Sequence, residues 1–471
     1  MKSHATLLLT AAVFACLAHF ASPVRADDID DLVQNDMQAR HIPGLALEIV
    51  QNGAIVKESA YGLADIDKKT AVFQQTMFEI GPLTRLITAT AVLQLVDQGK
   101  VSLDDKVSKY VVNPPDAWSD VTVRELLAQT SGIKDCDEVM PLATRVQKNM
   151  TVDETLALVG KLPLDFTPGS QWESSNSNYL LLGKIVEKAS GEVYGEYVSK
   201  EILQPEGMTF THLANPKAAF PALAKGYALD IDGTPKPAAA ATALGEWSAG
   251  SIVAGASDLG KWDVALDGGK MVSQASVDEM FKPYPLTNNT QVECCLGWTL
   301  RHPEGHNIAE CGGATTGFMA HLCRDIDDHI EIVILTNDAN VDPMPLTHRI
   351  LESFEPTIAP DPMAVRDEAV DSYCKGILQK LQDGKLDQSQ FSSTLWPTLK
   401  AEQLDSVGKS LAALGSLNEF VQTDKDFDAS GQPVYTYRCI FGDTAYTLSA
   451  GPSTDGKIGH FDFAIDPFDA E

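Results

Sequence analysis

The sequence predicts an α+β fold: an antiparallel sheet with helices, followed by a small C-terminal α+β domain. Three observations predict it: strand-like runs near the N-terminus, helix-like runs in the middle, and strand-like runs again before residue 340. Strands and helices that are segregated along a chain are typical of α+β proteins, whereas alternating units would give a parallel sheet. The 471 residues exceed one ordinary domain, so two domains are expected.

The first two strands are predicted to form a hairpin. Residues 45–50 and 54–61 are apolar-rich runs, and Asn52-Gly53 stands between them. Asn-Gly between two such runs is a strong signal for a tight hairpin turn. The fold is therefore expected to open on antiparallel sheet.

Helices and the remaining strands of the main domain follow in order. Helical patterns occupy residues 83–98, 123–128 and 179–189. Gly99 and Gly191 stand where the first and the third of these end, as glycines often do after helices. The last strands of this part are predicted at residues 296–300, 307–312, 318–324 and 330–335.

A proline-rich stretch separates the two predicted domains. Pro356, Pro360 and Pro362 lie within a few residues of one another, which is typical of a linker. The predicted boundaries are a main domain at 27–355, a linker at 356–366 and a C-terminal domain at 367–471. Within the last domain we predict helices at 370–381 and 400–414, strands at 434–441, 445–450 and 458–465, and a turn at 455–456.

Residues 1–26 have the pattern of a secretory signal peptide. Lys2 provides the basic start, residues 7–18 are apolar, and Val24-Arg25-Ala26 resembles a small-residue cleavage site. No later run approaches the roughly 18 apolar residues that a transmembrane helix needs. The protein is therefore expected to be secreted or periplasmic, without a transmembrane segment.

Charge and cysteine content exclude several function classes. Losing Lys2 and Arg25 with the signal takes the net charge from -29 to -31, which disfavours nucleic acid as a partner. Seven cysteines remain after Cys16, an odd number, and no Cys-x-x-Cys pair is present. We therefore expect no metal site and no cofactor.

Four spaced stretches carry a resemblance to a known family. They are "IPGLALEIVQNGAIVKESAYG", "VTVRELLAQTSGI" with "PGSQWESSNSNYLLLGKIVEKASG", "LQPEGMT", and "SAGSIVAGASDLGKW" followed by "CGGATTGF". Residues of about 30 to 355 resemble the β-lactamase-related serine hydrolases, which include class C β-lactamases, D,D-peptidases and esterases. The resemblance implies a β-lactamase/penicillin-binding-protein-like transpeptidase fold.

The family's nucleophile motif is degenerate in this sequence. The family places a serine and a lysine in S-x-x-K at a helix start, where this chain has Pro82 and Arg85. Proline has no hydroxyl to acylate and no backbone N–H for the oxyanion hole. An arginine stays protonated and cannot act as a general base.

The other two motifs of the family are degenerate as well. The Y-x-N motif corresponds to Ser174 and Asn176, and serine is too short and too weakly acidic to replace the tyrosine. The K-T-G or H-x-G strand corresponds to Cys311, Gly312 and Gly313. The glycines keep room for a ligand against the strand, but a thiol has replaced the cation or imidazole.

The combined losses predict a secreted pseudoenzyme that retains its cleft to bind a ligand or a partner. No catalytic residue is expected by the family mechanism. Binding is expected at Leu83, Thr84, Arg85, Asn176 and Ala314. The N–H groups of Leu83 and Thr84, with the charge of Arg85, favour a carboxylate-bearing peptide or cell-wall fragment. The sequence does not identify a protein partner, and the C-terminal domain is a candidate region for recognising one.

Two alternatives stay open at this stage. The chain is an active esterase-like or peptidase-like hydrolase if Cys311 is the nucleophile, with His306 or His321 near it in sequence. It has a purely structural role if side chains fill the cleft. Folding alone also explains single residues: proline is favoured in a first helical turn.

Two contacts are predicted for these positions. Arg85 is expected to pair with a carboxylate, Glu173 or Glu310. Cys311 is expected to form a disulfide with Cys294 or Cys295, since a turn at residues 302–305 brings their strands together.

Overall fold

The computed structural model describes most of the chain after residue 25. The described residues are 26–214, 220, 222–229, 235–238, 246–288, 291–292, 294–355, 358, 368–392, 395–396, 404, 408–409, 411–412, 416–427, 433–441, 444–453 and 457–465. The predicted signal peptide (except Ala26), most of the predicted linker, most of the predicted helix at 400–414 and the predicted turn at 455–456 lie outside the described residues.

Helices and strands are numbered in chain order along the described residues. The helices are α1 Ala26–Ala39, α2 Thr84–Asp97, α3 Val123–Leu127, α4 Cys136–Val139, α5 Leu142–Gln147, α6 Val152–Val159, α7 Asn176–Ser190, α8 Tyr194–Val198, α9 Ala256–Asp267, α10 Gln274–Met280, α11 Met344–Phe354 and α12 Glu368–Gln382. The strands are β1 Gly44–Gln51, β2 Ala54–Asp65, β3 Thr70–Ala71, β4 Phe78–Glu79, β5 Thr211–Leu213, β6 Tyr227–Leu229, β7 Pro235–Pro237, β8 Ile252–Ala254, β9 Tyr284–Pro285, β10 Gln291–Val292, β11 Thr299–Arg301, β12 Ile308–Thr315, β13 Phe318–Asp325, β14 Ile330–Thr336, β15 Leu417–Phe427, β16 Pro433–Phe441, β17 Thr444–Pro452 and β18 Ile458–Ile465.

The main sheet has seven strands in the order β11-β12-β13-β14-β1-β2-β3, paired antiparallel. Asn52 and Gly53, between β1 and β2, have positive φ angles of 51° and 71°, as a tight hairpin turn requires. The predicted hairpin is confirmed. β1 also pairs with β14, with Leu45 opposite Thr336, so the two ends of the domain meet in the middle of the sheet. The predicted α+β fold class is confirmed.

Helices cover both faces of this sheet. Leu45, Leu47 and Ile49 of β1 are buried in a cluster that includes residues of α1 and α11. Ala46 belongs to the larger cluster, which includes residues of α2, α7 and α9. Successive side chains of a strand point to opposite faces of the sheet, so a buried strand such as β1 contributes side chains to both clusters.

The expectation that the fold opens on sheet is wrong, because α1 precedes β1. Ile29 and Val33 of α1 are buried, and they lie four residues apart on one helix face. The helix packs on α11. The apolar positions are few among the many acidic residues of this helix, and one of these, Asp36, is also buried.

The C-terminal part is built from α12 and a four-stranded antiparallel sheet in the order β15-β16-β17-β18. Its buried cluster joins Cys374 and Ile377 of α12 to Tyr437, Phe441 and Leu448 of the sheet. The sequence predicted α12 and the last three strands but missed β15, whose acidic and amide residues weaken the strand pattern. No helix among the described residues has the length and apolar character to span a bilayer.

Candidate functional site

Pro82, which occupies the position of the family's nucleophile, lies in the turn that precedes α2. Gly81–Leu83 forms a 3₁₀ turn, and Pro82 occupies its start, half-buried. Gly81 has a positive φ of 49°, and a Cβ there would lie 2.9 Å from the carbonyl oxygen of Ala314. The turn therefore lies directly against β12, where Ala314 is exposed.

The N–H groups expected to receive a ligand are already used within this turn. The Leu83 N–H donates to the carbonyl of Ile80, and the Thr84 N–H donates to the carbonyls of Gly81 and Pro82. The Leu83 side chain is buried in the core, and the Thr84 hydroxyl accepts the N–H of Ile252. The prediction that Leu83 and Thr84 offer donors to a ligand is wrong, because the tighter 3₁₀ turn satisfies them internally.

Arg85 lies between two of the predicted site residues. Its Nη1 donates to Ser174 Oγ at 3.1 Å, and its Nη2 donates to Asn176 Oδ1 at 2.7 Å. Its guanidinium carbon lies 5.4 Å from the ring centroid of Tyr179, within cation–π range. The structure thus brings three of the predicted positions into direct contact.

The predicted ion pair of Arg85 is wrong. Glu310 accepts instead from His348, with 2.8 Å between Glu310 Oε2 and His348 Nε2, and the Glu173 backbone N–H donates to the carbonyl of Gln129. Among the described residues Arg85 contacts no carboxylate, and its buried Nε has no hydrogen-bond partner. The guanidinium is therefore bound only to neutral oxygens.

Asn176 connects Arg85 to a second arginine. The Asn176 side-chain amide donates to Asp137 at 2.8 Å, and its backbone N–H donates to Asp135 at 2.8 Å. The buried Arg145 forms an ion pair with the other oxygen of Asp137. No local motif in the sequence marks Asp135, Asp137 or Arg145, so these contributions from α4 and α5 were not predicted.

A titratable carboxyl faces this network. Burial, together with the negative charge of Asp137, raises the pKa of the half-buried Glu246 to about 7, although Arg85 and Arg145 oppose the shift. Glu246 therefore changes charge near neutral pH. No sequence pattern marked it.

Cys311 lies on β12 opposite Leu322, with its half-buried side chain packed against the larger core cluster. Burial raises the pKa of its thiol to about 12. The predicted disulfide is wrong: Cys294, Cys295 and Cys311 are all free. The Cys295 N–H donates to the carbonyl of Trp298, so the chain turns back on itself there and does not extend along β12.

Neither histidine expected near Cys311 can act as its base in this arrangement. His306 Nδ1 lies 3.3 Å from Asp325 and 3.2 Å from Asp328. His321 pairs in register with Gly312, so its side chain lies on the face opposite to Cys311. A protonated thiol without a base is a poor nucleophile.

The two glycines after Cys311 have different surroundings. A Cβ at Gly313 would lie 2.1 Å from the carbonyl oxygen of Ile80, so that position is filled by the neighbouring turn. A Cβ at Gly312 would meet only a ring carbon of His321, at 4.0 Å. The expectation that both glycines leave room for a ligand is therefore wrong for Gly313 and stays open for Gly312.

The site as a whole provides charge and hydrogen bonds but no acylating group at the family positions. Pro82 carries no hydroxyl, and Arg85 holds a permanent positive charge next to Ser174. Such an arrangement can bind an anion reversibly, and it has no general base beside a nucleophile.

The chain is similar to proteins related to the β-lactamases. The family model described as Beta-lactamase matches residues 29–353. Protein flp of Staphylococcus aureus (strain N315) is 37% identical over 187 residues, which are 39% of this chain and 37% of that protein, so the chain spans well under two thirds of that relative. Penicillin-binding protein 4* of Bacillus subtilis (strain 168) is 27% identical over 342 residues, 69% of this chain and 75% of that protein.

A solved structure resembles nearly the whole chain. The octameric penicillin-binding protein homologue from Pyrococcus abyssi aligns with a TM-score of 0.62 at 20% identity, covering 93% of this chain and 96% of that one. At that identity the likeness concerns the fold alone.

Proposed function

The chain belongs to the β-lactamase family, and we propose that it is a secreted pseudoenzyme whose cleft binds a carboxylate-bearing ligand without being acylated. The signal-like residues 1–26 support export. Pro82, Arg85 and Ser174 support the loss of catalysis, because nucleophile, base and proton shuttle are missing together.

The observation that carries the proposal is the set of hydrogen-bond partners of Arg85. Its guanidinium donates to Ser174 and Asn176, both neutral, and contacts no carboxylate among the described residues. A half-buried cation without a counter-ion is costly, and an anionic ligand lowers that cost. The acceptors on Ser174 and Asn176 also fix the guanidinium's orientation.

The ligand class follows from this cation and from the relatives. A peptide or cell-wall fragment that ends in a free carboxylate suits a site with one guanidinium and with exposed residues, Gly312 and Ala314, on β12. The name of the Bacillus subtilis relative states penicillin binding, and a penicillin also carries a carboxylate. Since Leu83 and Thr84 offer no free N–H, Arg85 is the principal anchor in the proposal.

The test compares two ligands that differ only at the carboxylate. Binding of acyl-D-alanyl-D-alanine and of its C-terminal amide is measured by calorimetry with the mature chain. We expect the free acid to bind about 10- to 100-fold more tightly, as for a charged hydrogen bond of about 1.5 to 3 kcal/mol. Arg85→Gln should abolish that preference, whereas Lys106→Gln, which removes an exposed charge elsewhere, should leave it unchanged.

The same binding measurement, repeated at several pH values, gives a second test. As pH rises through about 7, Glu246 becomes a carboxylate near Arg85 and Arg145 and competes with the ligand. Affinity for the free acid should therefore fall over this range, and Glu246→Gln should remove the dependence. Equal affinity for acid and amide would contradict the proposed anchor, whereas no binding of either would favour a purely structural cleft.

A further inference from the structure

A second group of chemically reactive side chains lies on the opposite face of the sheet from the cleft. Glu310 of β12 pairs directly with Cys323 of β13, and α11 places His348 over them. One donor atom from each, a carboxylate oxygen, a sulfur and an imidazole nitrogen, lies within 4.8 Å of the others. Three different elements of the fold thus bring three metal-binding groups together.

His321 lies next to this group. Its Nε2 is 3.8 Å from Glu310 Oε2, and its ring centroid is 5.8 Å from that of His348. The side chain is 3% exposed, and its Nδ1 has no hydrogen-bond partner among the described residues. Its Nε2 therefore faces the cluster, where it lies close to the carboxylate of Glu310.

We infer that Glu310, Cys323 and His348 form a binding site for Zn²⁺, with the buried His321 beside it. Sulfur, imidazole and carboxylate donors suit zinc, whereas magnesium and calcium prefer oxygen donors alone. On binding, the Cys323 thiol releases its proton to solvent and the thiolate forms the bond to the metal. No metal was expected from the sequence, because these ligands follow no local spacing motif.

Arg301 is the cation that a metal would replace. Its Nη1 lies 2.9 Å from His348 Nε2, and its Nε lies 3.8 Å from Glu310 Oε1. The Arg301 side chain is 35% exposed, so it can turn into solvent and open a path for the ion. Arginine and zinc therefore compete for the same carboxylate and imidazole.

The proposed ion would join elements that ordinary packing also joins. β12 and β13 carry Glu310, Cys323 and His321, while α11, which packs on β13 and β14, carries His348. A bound metal adds to the stability of the fold in which its ligands are assembled, by mass action. The site is separate from the proposed cleft function and does not depend on it.

The test is zinc titration of the mature full chain after chelator treatment, followed by calorimetry and by thermal unfolding. We expect one zinc ion per chain and a higher midpoint with zinc. Cys323→Ser and His348→Gln should each weaken binding at least about tenfold. Arg301→Gln should tighten binding, because it removes the competing cation and leaves every ligand in place.

His306→Gln is the matched control. His306 lies with Asp325 and Asp328 in a different cluster, so this change should leave the zinc affinity unchanged. Cobalt gives a second readout that needs no variant of the buried cysteine: wild-type protein should show a sulfur-to-cobalt charge-transfer band. The absence of saturable zinc binding in both the wild type and Arg301→Gln, or binding that disappears with His306→Gln, would overturn the inference.

Discussion

Glu48 should make the main domain less stable at alkaline pH. It lies in the middle of β1, is fully buried, and neither carboxyl oxygen has a hydrogen-bond partner among the described residues. Burial, together with the negative charge of the nearby Glu58, raises its pKa to about 8, although Lys261 opposes the shift. The perturbation we propose is Glu48→Gln, which keeps the size of the side chain and removes its titration.

The sign of the effect follows from proton binding. The native state holds a proton on Glu48 up to about pH 8, whereas the unfolded chain releases it near 4.5. The stabilisation is therefore fully present below about pH 4.5 and is lost as pH rises through about 8. The difference corresponds to an upper bound of about 5 kcal/mol, at about 1.36 kcal/mol for each pH unit.

The assay is urea unfolding at pH 5, 7 and 9, followed by tryptophan fluorescence, because five of the six tryptophans precede residue 355. From pH 5 to pH 9 the unfolding free energy of the wild type should fall by several kcal/mol more than that of Glu48→Gln. Glu58→Gln, at the exposed partner position on β2, is the control and should change the pH dependence only slightly. Parallel pH profiles for the wild type and Glu48→Gln would refute the reasoning.

Two further predictions concern the cleft. The triple change Pro82→Ser, Arg85→Lys and Ser174→Tyr should restore slow hydrolysis of an activated ester in a chromogenic assay. Each single change should do almost nothing, because the effects of residues that act as a unit are strongly non-additive. A folded triple variant without activity would show that the residues around the lost groups no longer support catalysis. Gly313→Ala should lower the thermal midpoint or prevent folding, because its Cβ would lie 2.1 Å from a carbonyl oxygen, while Gly312→Ala, whose nearest neighbour is at 4.0 Å, should leave the midpoint nearly unchanged.

Features that depend on local chemistry could be predicted from the sequence. The Asn52-Gly53 turn needs two positive φ angles, which these residue types favour, so the hairpin follows from four neighbouring positions. Gly191 ends α7 in the left-handed conformation for the same reason. The contact between the start of α2 and β12 could be predicted because the residues around Pro82 keep the spacing of the family's motifs.

Features that depend on distant contacts could not be predicted. Asp137, which pairs with Arg145, lies 39 positions before Asn176, and only the folded chain brings this ion pair close to Arg85. Cys294 seemed able to reach Cys311, but a local turn ends the pairing of β11 at Thr299. The sequence cannot show such a reversal, because it arises from the hydrogen bonds of the turn.

The measurement that tests the central claim most directly is the intact mass of the mature protein after incubation with a fluorescent penicillin and with a fluorophosphonate. An active member of the family is treated in parallel. A pseudoenzyme with Pro82 in the nucleophile position should keep its unmodified mass with both reagents, while the active relative gains one adduct. A stoichiometric adduct on this chain would contradict the account, and mapping the modified peptide would identify the nucleophile that acts in place of Pro82.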